Sequence, residues 1–204
     1  MNSSRLLLIG IIFLNVISCQ KEEENKPKPS SVEDYDGNIY QTVQIGYQLW
    51  MKSNLKVTHY NNGNAIPNVV DGIDWRLLKF GAFCNFNNDT SIVVSYGRLY
   101  NFYAVDDLRK ICPPGWHVPG YDEWVTLAVY LGGYPVAGGE MKEAGFNYWR
   151  SPNAGADNSS GFSGLPGGFR YQSDTFSVLG EMGYFWTSTE ENDSSAWYHA
   201  LAYD

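Results

Sequence analysis

Three histidines and three cysteines are the side chains best able to do chemistry, but their spacing builds no recognisable centre. His59, His117 and His199 lie far apart, and none stands at ligand spacing from a cysteine or another histidine. A zinc site needs three or four convergent nitrogen or sulfur ligands. The local sequence therefore predicts no zinc site, and His117, between Trp116 and Val118, is interpreted as a hydrogen-bonding scaffold residue.

Cys84 and Cys112 are the two cysteines outside the N-terminal segment. In an exported protein they are able to form one disulfide, and two free buried thiols are the alternative. A nucleophile paired with a histidine is possible in principle, but nothing in the local sequence marks Cys112 as activated.

Carboxylates cluster at Asp106-Asp107, at Asp122-Glu123 and at Glu190-Glu191 with Asp193. Acid–base catalysis needs two carboxylates placed across a substrate, whereas neighbours on a helix start or a turn are usually solvated. Glu190, Asn192 and Asp193 offer oxygen ligands for calcium, but the Asp-x-Asp-x-Asp-Gly pattern is absent. We therefore expect no cofactor, with calcium at this turn as the alternative.

The composition excludes one class of partner and favours one class of fold. The net charge is −8 and no basic cluster exists. Nucleic-acid binding is not expected, because phosphate neutralisation supplies most of that affinity. Aromatic residues make up 16% of the chain and glycine occurs 21 times. Such a composition favours strands joined by irregular loops.

Residues 1–18 have the pattern of a signal peptide for a lipoprotein. Arg5 precedes an apolar run from Leu6 to Leu14, which is shorter than the roughly 20 residues of a membrane span. The following Val16-Ile17-Ser18-Cys19 resembles a lipobox, so we expect lipid on Cys19 to anchor the protein in a membrane. An ordinary secretory signal is the alternative.

Residues 19–31 are expected to form a disordered tether, because they are charged, contain proline and lack apolar side chains. Their Lys–Glu-rich start resembles the surface-export signal of Bacteroidetes-type lipoproteins. Gln20 after the cysteine is similar to lipoproteins of the outer membrane. We therefore expect an outer-membrane location with exposure at the cell surface, and a generic hydrophilic spacer is the alternative.

The remaining residues, 32–204, are organised around the stretch from Ile111 to Trp124. The prolines of this stretch predict a bend. The alternation of apolar and polar residues at 116–118 predicts a short buried strand. Gly120 and Glu123 predict the start of a helix over 121–131. The rest of the sequence predicts a hairpin of strands 39–45 and 48–51, a β-like run at 91–94, a short helix at 139–144, and strands near 169–171, 175–179, 184–189 and 196–203.

Six motifs, in order along the chain, resemble the Fibrobacter succinogenes major paralogous domain. They are DGNIY at 36–40, QLWMKSNL at 48–55, YGRLYN at 96–101, CPPGWHVP at 112–119, SGF with LPGGFR at 160–170, and WTSTE at 186–190. Family members usually continue past a position like Asp204 with a strand that contains an Arg-Cys pair. The resemblance therefore implies that a closing C-terminal strand and a partner for Cys112 are lacking here, and that the sequence is truncated or a strand edge is open.

The order Gly-Trp-His-Val-Pro-x-x-x-Glu-Trp also resembles C-type lectin-like and formylglycine-generating-enzyme-like folds. This resemblance implies a compact α+β, C-type-lectin-like domain with short antiparallel strands, one or two helices and long loops. The calcium-binding lectin motifs and the paired catalytic cysteines of those families have no counterpart in this sequence.

These observations predict a surface-anchored binding or adhesion module for a glycan or a protein. The candidate contacts are loop aromatics and polar residues: Tyr148, Trp149, Asn153, Asp157, Asn158, Glu190, Asn192 and Trp197. Core packing is the alternative role for each aromatic. The rival functions are an exported enzyme, which requires titratable groups that converge in a pocket, and a purely structural envelope domain.

Overall fold

The computed structural model describes residues 30–171, 175–192 and 195–204. The predicted signal peptide, Cys19 and all of the tether except Ser30 and Ser31 lie outside the described residues. Within the described ranges, no helix is long and apolar enough to cross a membrane.

An antiparallel sheet opens the domain, with the order β1 (Ser31–Glu33), β2 (Ile39–Ile45) and β3 (Gln48–Met51). The predicted hairpin is confirmed, and its turn places Gly46 at φ +57°, which glycine adopts without strain. Buried Asp34 accepts hydrogen bonds from the backbone N–H of Asn38 (2.9 Å) and from the Tyr40 hydroxyl (2.5 Å). These contacts close the turn that joins β1 to β2.

The middle of the chain contains five α-helices, most of them short: α1 (Gly72–Leu77), α2 (Val93–Tyr96), α3 (Phe102–Val105), α4 (Tyr121–Tyr130) and α5 (Tyr134–Met141). A two-stranded ladder of β4 (Phe83–Cys84) and β5 (Leu99–Tyr100) lies among them, with a 3₁₀ turn at Phe86–Asn88. Only α4 and α5 reach eight residues, and the others are single turns within long loops.

The C-terminal part consists of two antiparallel ribbons. Strands β6 (Phe169–Arg170) and β7 (Phe176–Ser177) form the first, and β8 (Met182–Asn192) and β9 (Ser195–Ala202) form the second. Buried Lys142 donates hydrogen bonds to the carbonyl oxygens of Ala154 (2.8 Å) and Ala202 (2.7 Å). It thereby joins the long loop after α5 to the end of β9.

The architecture confirms the α+β prediction, although three elements differ from expectation. Residues 91–94 are not a strand, because Asp89 accepts the Ser91 N–H (2.8 Å) and begins a turn into α2. Residues 116–118 pair with no strand, and Trp116 N–H bonds to the Pro113 carbonyl (2.9 Å). The second long helix begins at Tyr134, five residues before its predicted start, with Pro135 in its first turn.

Two apolar clusters form the core. The first cluster contains Trp50, Trp124, Leu127, Trp149 and Phe162, with Phe185 against its side. The second cluster contains Val57, Tyr60, Ile66, Phe83 and Ile111, with Leu55, Tyr100, Trp116 and Val118 against its side. Trp124, predicted as a core residue, is 5% exposed, and Trp116 is partly buried at the side of the second cluster.

Replacement of Trp124 by alanine should lower the free energy of unfolding by about 3–5 kcal/mol, because the ring would leave a cavity. Its ring lies 4.8 Å from Trp50 and 5.5 Å from Phe185, centroid to centroid. Urea denaturation followed by circular dichroism measures the change. The control Tyr47→Ala, at a side chain that is 99% exposed, should change it by less than about 0.5 kcal/mol. Equal losses in both variants would contradict the assignment of Trp124 to the core.

Candidate functional site

A groove of about 1460 Å³ runs between the two core clusters. Strand β3 and strand β8 flank it, and we call it the β3–β8 groove. Residues of the first cluster line one side of the groove: Trp50, Trp124, Phe162 and Phe185. Residues associated with the second cluster line the other side: Leu55, Tyr100, Ile111, Cys112, Trp116 and Val118.

Side chains of the sequence motifs hold the loops around the groove by bonding to their backbone. Asn54 Nδ2 donates to the Tyr96 carbonyl (2.8 Å), and Arg98 Nε donates to the Lys56 carbonyl (2.8 Å). Asn101 Oδ1 accepts the N–H of Ala82 and of Ala104, at 3.0 Å each. The segments after β3 and around β5 are therefore fixed in place without extended strand pairing.

Arg170, from the glycine-rich motif, has the same kind of role. Its guanidinium donates to the carbonyl oxygens of Val69 (2.8 Å) and Val70 (2.7 Å) and lies over the Trp75 ring at 4.9 Å. The side chain is 9% exposed. A buried cation that donates hydrogen bonds to backbone oxygens and packs over an aromatic ring has a structural role, because it holds these segments together.

Hydrogen bonds hold both ends of the stretch before α4 in place. Asn61 Nδ2 donates to the Cys112 carbonyl (2.6 Å), and the Ser188 N–H donates to the Pro119 carbonyl (3.0 Å). The carboxylate of Glu123 accepts the Gly120 N–H (2.8 Å), as the predicted helix start requires. This stretch thus forms part of the groove wall as a loop and not as a strand.

His117 and Cys112 are the titratable groups of the groove that the sequence singled out. His117 Nε2 lies 2.9 Å from Glu123 Oε2, but the histidine side chain is 67% exposed and the carboxylate 42%. Burial raises the pKa of the Cys112 thiol to about 12. A thiol that stays protonated at neutral pH is a poor nucleophile. His117 thus forms a hydrogen bond, as the sequence predicts, but it does so from a loop and not from a strand.

The structure differs from the predicted disulfide, because Cys84 and Cys112 are both buried and are not joined by a disulfide bond. Cys84 lies in β4 and is 0% exposed, and Cys112 belongs to the second cluster and is 6% exposed. The alternative of two buried, unbridged thiols therefore describes this structure, and both side chains serve as small apolar core residues.

The predicted ligand contacts fall in three different places. Glu190 and Asn192 lie on β8 at the rim of the groove. Asp157 and Asn158 lie in the loop after α5 and do not line the groove. Asp157 is exposed and accepts the Ser159 N–H (2.9 Å), and Asn158 bonds to Ser163 (2.9 Å). The polar members of the set therefore do not form one site.

Trp149 and Asn153 are corrections, because both are too buried to contact a ligand on the surface. Trp149 is 2% exposed, and its Nε1 donates to the Gly164 carbonyl (3.0 Å). Asn153 is 5% exposed and donates to the carbonyl oxygens of Glu143 and Gly145. Tyr148 is half-buried against the first cluster and packs edge-on against Tyr96 at 5.8 Å. Core packing, the alternative role of the aromatics, holds for Trp149.

Trp197 belongs to an aromatic patch on the face of β9 that is turned away from the groove. It is 43% exposed, and its ring lies 5.3 Å from Tyr121. His199 lies 5.5 Å from Tyr121 and is stacked against Tyr134 at 6.4 Å. The sequence predicted Trp197 as a ligand contact, and helix α4 contributes Tyr121 to the patch. Tyr134, which begins α5, and His199 were missed, because only the packing of α4, α5 and β9 brings the rings together.

For calcium, two of the three predicted ligands are described, and Asp193 lies outside the described residues. In the ranges that the structure describes, no three His, Cys, Asp or Glu side chains form a cluster able to hold a metal ion. Calcium at this turn stays a prediction.

Comparison with known families gives one match. The sequence profile of the family described as Fibrobacter succinogenes major domain matches residues 43–203. This range extends from β2 through β9 and therefore includes both strands that flank the groove. The chain matches no curated protein and no solved structure. The C-type-lectin-like architecture accordingly stays a prediction.

The free energy of unfolding should fall as the pH falls from about 7 toward 5, because His199 resists protonation in the folded chain. Burial lowers the pKa of His199, and its Nε2 is buried without a partner. The unfolded chain, with a histidine pKa near 6.5, then binds the proton more readily, at a slope of at most about 1.4 kcal/mol per pH unit. Urea denaturation at several pH values measures this slope.

The variant His199→Gln should flatten that slope between pH 7 and pH 5, whereas His117→Gln should retain it. The two substitutions are matched in chemistry and differ in the burial of the histidine that they remove. An unchanged slope in His199→Gln would show that other groups cause the loss of stability.

Proposed function

The chain belongs to the Fibrobacter succinogenes major domain family, and from this premise we propose that it is a binding module of the cell surface whose ligand, a protein or a glycan, lies in the β3–β8 groove. The observation that carries the proposal is the groove itself. Its volume of about 1460 Å³ exceeds the roughly 300–1,000 Å³ of sites for small molecules, so a polymeric ligand suits it better.

The lining of the groove also favours binding. Aromatic side chains reach it from several separate elements, among them Trp116, Trp186 and Tyr198, and exposed Glu190 contributes a carboxylate at its rim. Aromatic residues with polar neighbours are typical of contact surfaces, since they bury a large area and order few torsion angles. An enzyme would require an activated group in the groove, and the raised pKa of Cys112 argues against a thiolate there.

A glycan on the aromatic patch is a second candidate function, favoured by one observation. Trp197 and Tyr134 are 43% and 60% exposed, and together with Tyr121 and His199 they offer neighbouring ring faces at the surface. The apolar face of a sugar ring packs against such rings. This site is separate from the groove, so substitutions distinguish the two.

Removal of the Tyr198 side chain, which lines the groove and is 55% exposed, should weaken ligand binding at least tenfold. The full-length chain is first screened by glycan array and by pull-down from an envelope extract, and each ligand is then titrated against Tyr198→Ala, Trp197→Ala and Phe146→Ala. Phe146 is 65% exposed and does not line the groove, so its variant is the matched control.

A loss confined to Tyr198→Ala supports the groove, and a loss confined to Trp197→Ala supports the aromatic patch instead. Equal binding by all three variants would exclude both sites, and the absence of any ligand in both screens would overturn the proposal.

For the location, the proposal is a lipid anchor on Cys19 in the outer membrane, with residues 19–31 as a spacer that carries the domain at the cell surface. What supports it is the sequence: a short apolar run that ends at a cysteine and is followed by a hydrophilic segment.

Radioactive palmitate should label the full-length chain in growing bacteria, and Cys19→Ala should abolish the label. Cys112→Ala is the control that should keep it, because a buried thiol is not the acceptor. Release of the wild-type chain into the soluble fraction without label would support the ordinary secretory signal.

A further inference from the structure

We infer that the ligand of the β3–β8 groove is a neutral, linear glycan, which lies along a row of four aromatic rings in the groove wall. We call these rings the aromatic row, and in spatial order they belong to Tyr171, Phe169, Tyr184 and Tyr198. The inference rests on the proposed function, since it names the class of ligand that the groove takes and the side chains that contact it.

The rings of the aromatic row are in continuous contact. Successive ring centroids are 4.3, 5.0 and 5.4 Å apart, and each pair packs edge to face, with interplanar angles of 65°, 71° and 62°. Phe169 and Tyr184 are partly buried in the middle, whereas Tyr171 and Tyr198 at the two ends are 50% and 55% exposed. The row is therefore a continuous aromatic surface with an accessible ring at each end.

The glycine-rich motif puts the first two rings in place. Phe169 and Tyr171 are two residues apart in extended chain and share one face, whereas Arg170 lies on the other face. Arg170 is 9% exposed and holds β6 through its bonds to two backbone carbonyl oxygens. At Gly168, φ is +63° and a Cβ atom would lie 2.5 Å from the Ser177 carbonyl oxygen, so glycine is required for β6 to approach β7 this closely.

Strands β8 and β9 contribute the other two rings. Tyr198 is the cross-strand partner of Trp186, and Tyr184 lies two residues before Trp186, so the three side chains share the groove face of the ribbon. The residues on either side of Tyr198 belong to the aromatic patch on the opposite face. The row is thus built from three strands, and its continuity comes from the packing of β6 against β8.

Beside the aromatic row, the contacts open to a ligand come from side chains and not from backbone. The Met182 carbonyl accepts the Gly168 N–H (2.9 Å), and the Ser188 N–H donates to the Pro119 carbonyl (3.0 Å). This edge of β8 is therefore already bonded at both of these positions. An extended peptide that adds as a strand needs a free edge, whereas a glycan binds through ring faces and hydroxyl groups. The structure here favours the glycan.

Three phenol hydroxyl groups along the row are able to bond to sugar hydroxyls. Those of Tyr171, Tyr184 and Tyr198 have no hydrogen-bond partner among the described residues. Burial raises the pKa of Tyr184, and the hydroxyls of Tyr198 and Tyr171 raise this pKa further, which shows that the three groups are close in space. A phenol hydroxyl both donates and accepts a hydrogen bond, as each sugar hydroxyl does.

The charges favour a neutral ligand. Tyrosine and phenylalanine carry no charge at neutral pH, so the aromatic row itself is uncharged. Elsewhere in the groove lining, exposed Arg76 and Lys79 are offset by exposed Asp106 and Glu190. The whole chain has a net charge of −8. An acidic polysaccharide would therefore be repelled by the protein and would find no excess of cations in the groove.

The shape of the row favours a linear chain of several sugars. Only the two end rings, Tyr171 and Tyr198, are about half exposed, and the two rings between them separate these ends. A single sugar covers one ring, whereas an extended oligosaccharide contacts both ends at once. The C–H groups of a sugar face carry partial positive charge and pack against the negative face of an aromatic ring.

The test is affinity electrophoresis of the full-length chain in native gels that each contain one soluble polysaccharide. The neutral set is hydroxyethyl cellulose, xylan, galactomannan and laminarin, and the acidic set is polygalacturonate and alginate. We expect at least one neutral polysaccharide to retard the chain and neither acidic one to do so. Isothermal titration with oligosaccharides of the retarding polysaccharide then gives the affinity, which should rise with chain length.

Variants identify the aromatic row as the contact. Tyr171→Ala and Tyr198→Ala should each weaken binding by about tenfold or more, because each removes the ring at one end. Tyr35→Ala is the matched control, since Tyr35 is also 55% exposed but does not line the groove, and its affinity should be unchanged. Circular dichroism verifies that the variants fold. If an alanine variant does not fold, Tyr171→Phe and Tyr198→Phe, which keep the ring, should each weaken binding by about twofold or more through the lost hydroxyl.

The outcomes separate this inference from the proposed function. Retardation by acidic polysaccharides alone, or a neutral polysaccharide bound equally well by the Tyr171 and Tyr198 variants, overturns the inference. A protein ligand from the envelope extract that depends on Tyr198 also overturns it and leaves the proposed groove function standing. A glycan lost in Trp197→Ala and retained in Tyr171→Ala belongs to the aromatic patch and overturns both. The absence of any ligand in all screens likewise overturns both.

Discussion

The structure depends on one constraint: the backbone of long, irregular and partly buried loops must be hydrogen-bonded without extended strand pairing. Unpaired buried N–H and C=O groups cost free energy, and the strands here are too few to bond to them. Long polar side chains do so instead. Asn54 and Arg98 each donate to a backbone carbonyl of a separate loop, and buried Arg170 and buried Lys142 each donate to two.

This constraint explains why the most distinctive sequence motifs carry no chemistry of their own. Asn54, Arg98, Asn101 and Arg170 all stand in motifs that resemble the family, and each bonds to backbone. His117 and Cys112 lie in the most recognisable stretch and serve as a helix-start contact and a core thiol. The motifs therefore build the scaffold around the groove that lies between the two clusters.

Local patterns predicted those elements that local interactions stabilise. The hairpin β2–β3 follows from alternation and a glycine turn, and α4 follows from apolar spacing after Gly120 with Glu123 at its start. The failures have specific causes. At Ser91, side-chain capping by Asp89 overrides a β-like composition. Around Trp116 apolar and polar side chains alternate, but the segment pairs with no described strand, and alternation alone does not make a strand.

The sequence by itself determined the acidic charge, the family and the α+β class that the motif resemblance implies, because charge and motif order can be read along the chain. Only the tertiary structure decided that Trp149 and Asn153 are buried, that Cys84 and Cys112 are buried without a disulfide between them, and that Trp197 joins Tyr121 in a patch. The groove is also a feature that only the tertiary structure decided, since strand pairing and the packing of distant aromatic residues are non-local. Which backbone edges stay unpaired depends on where every other strand lies.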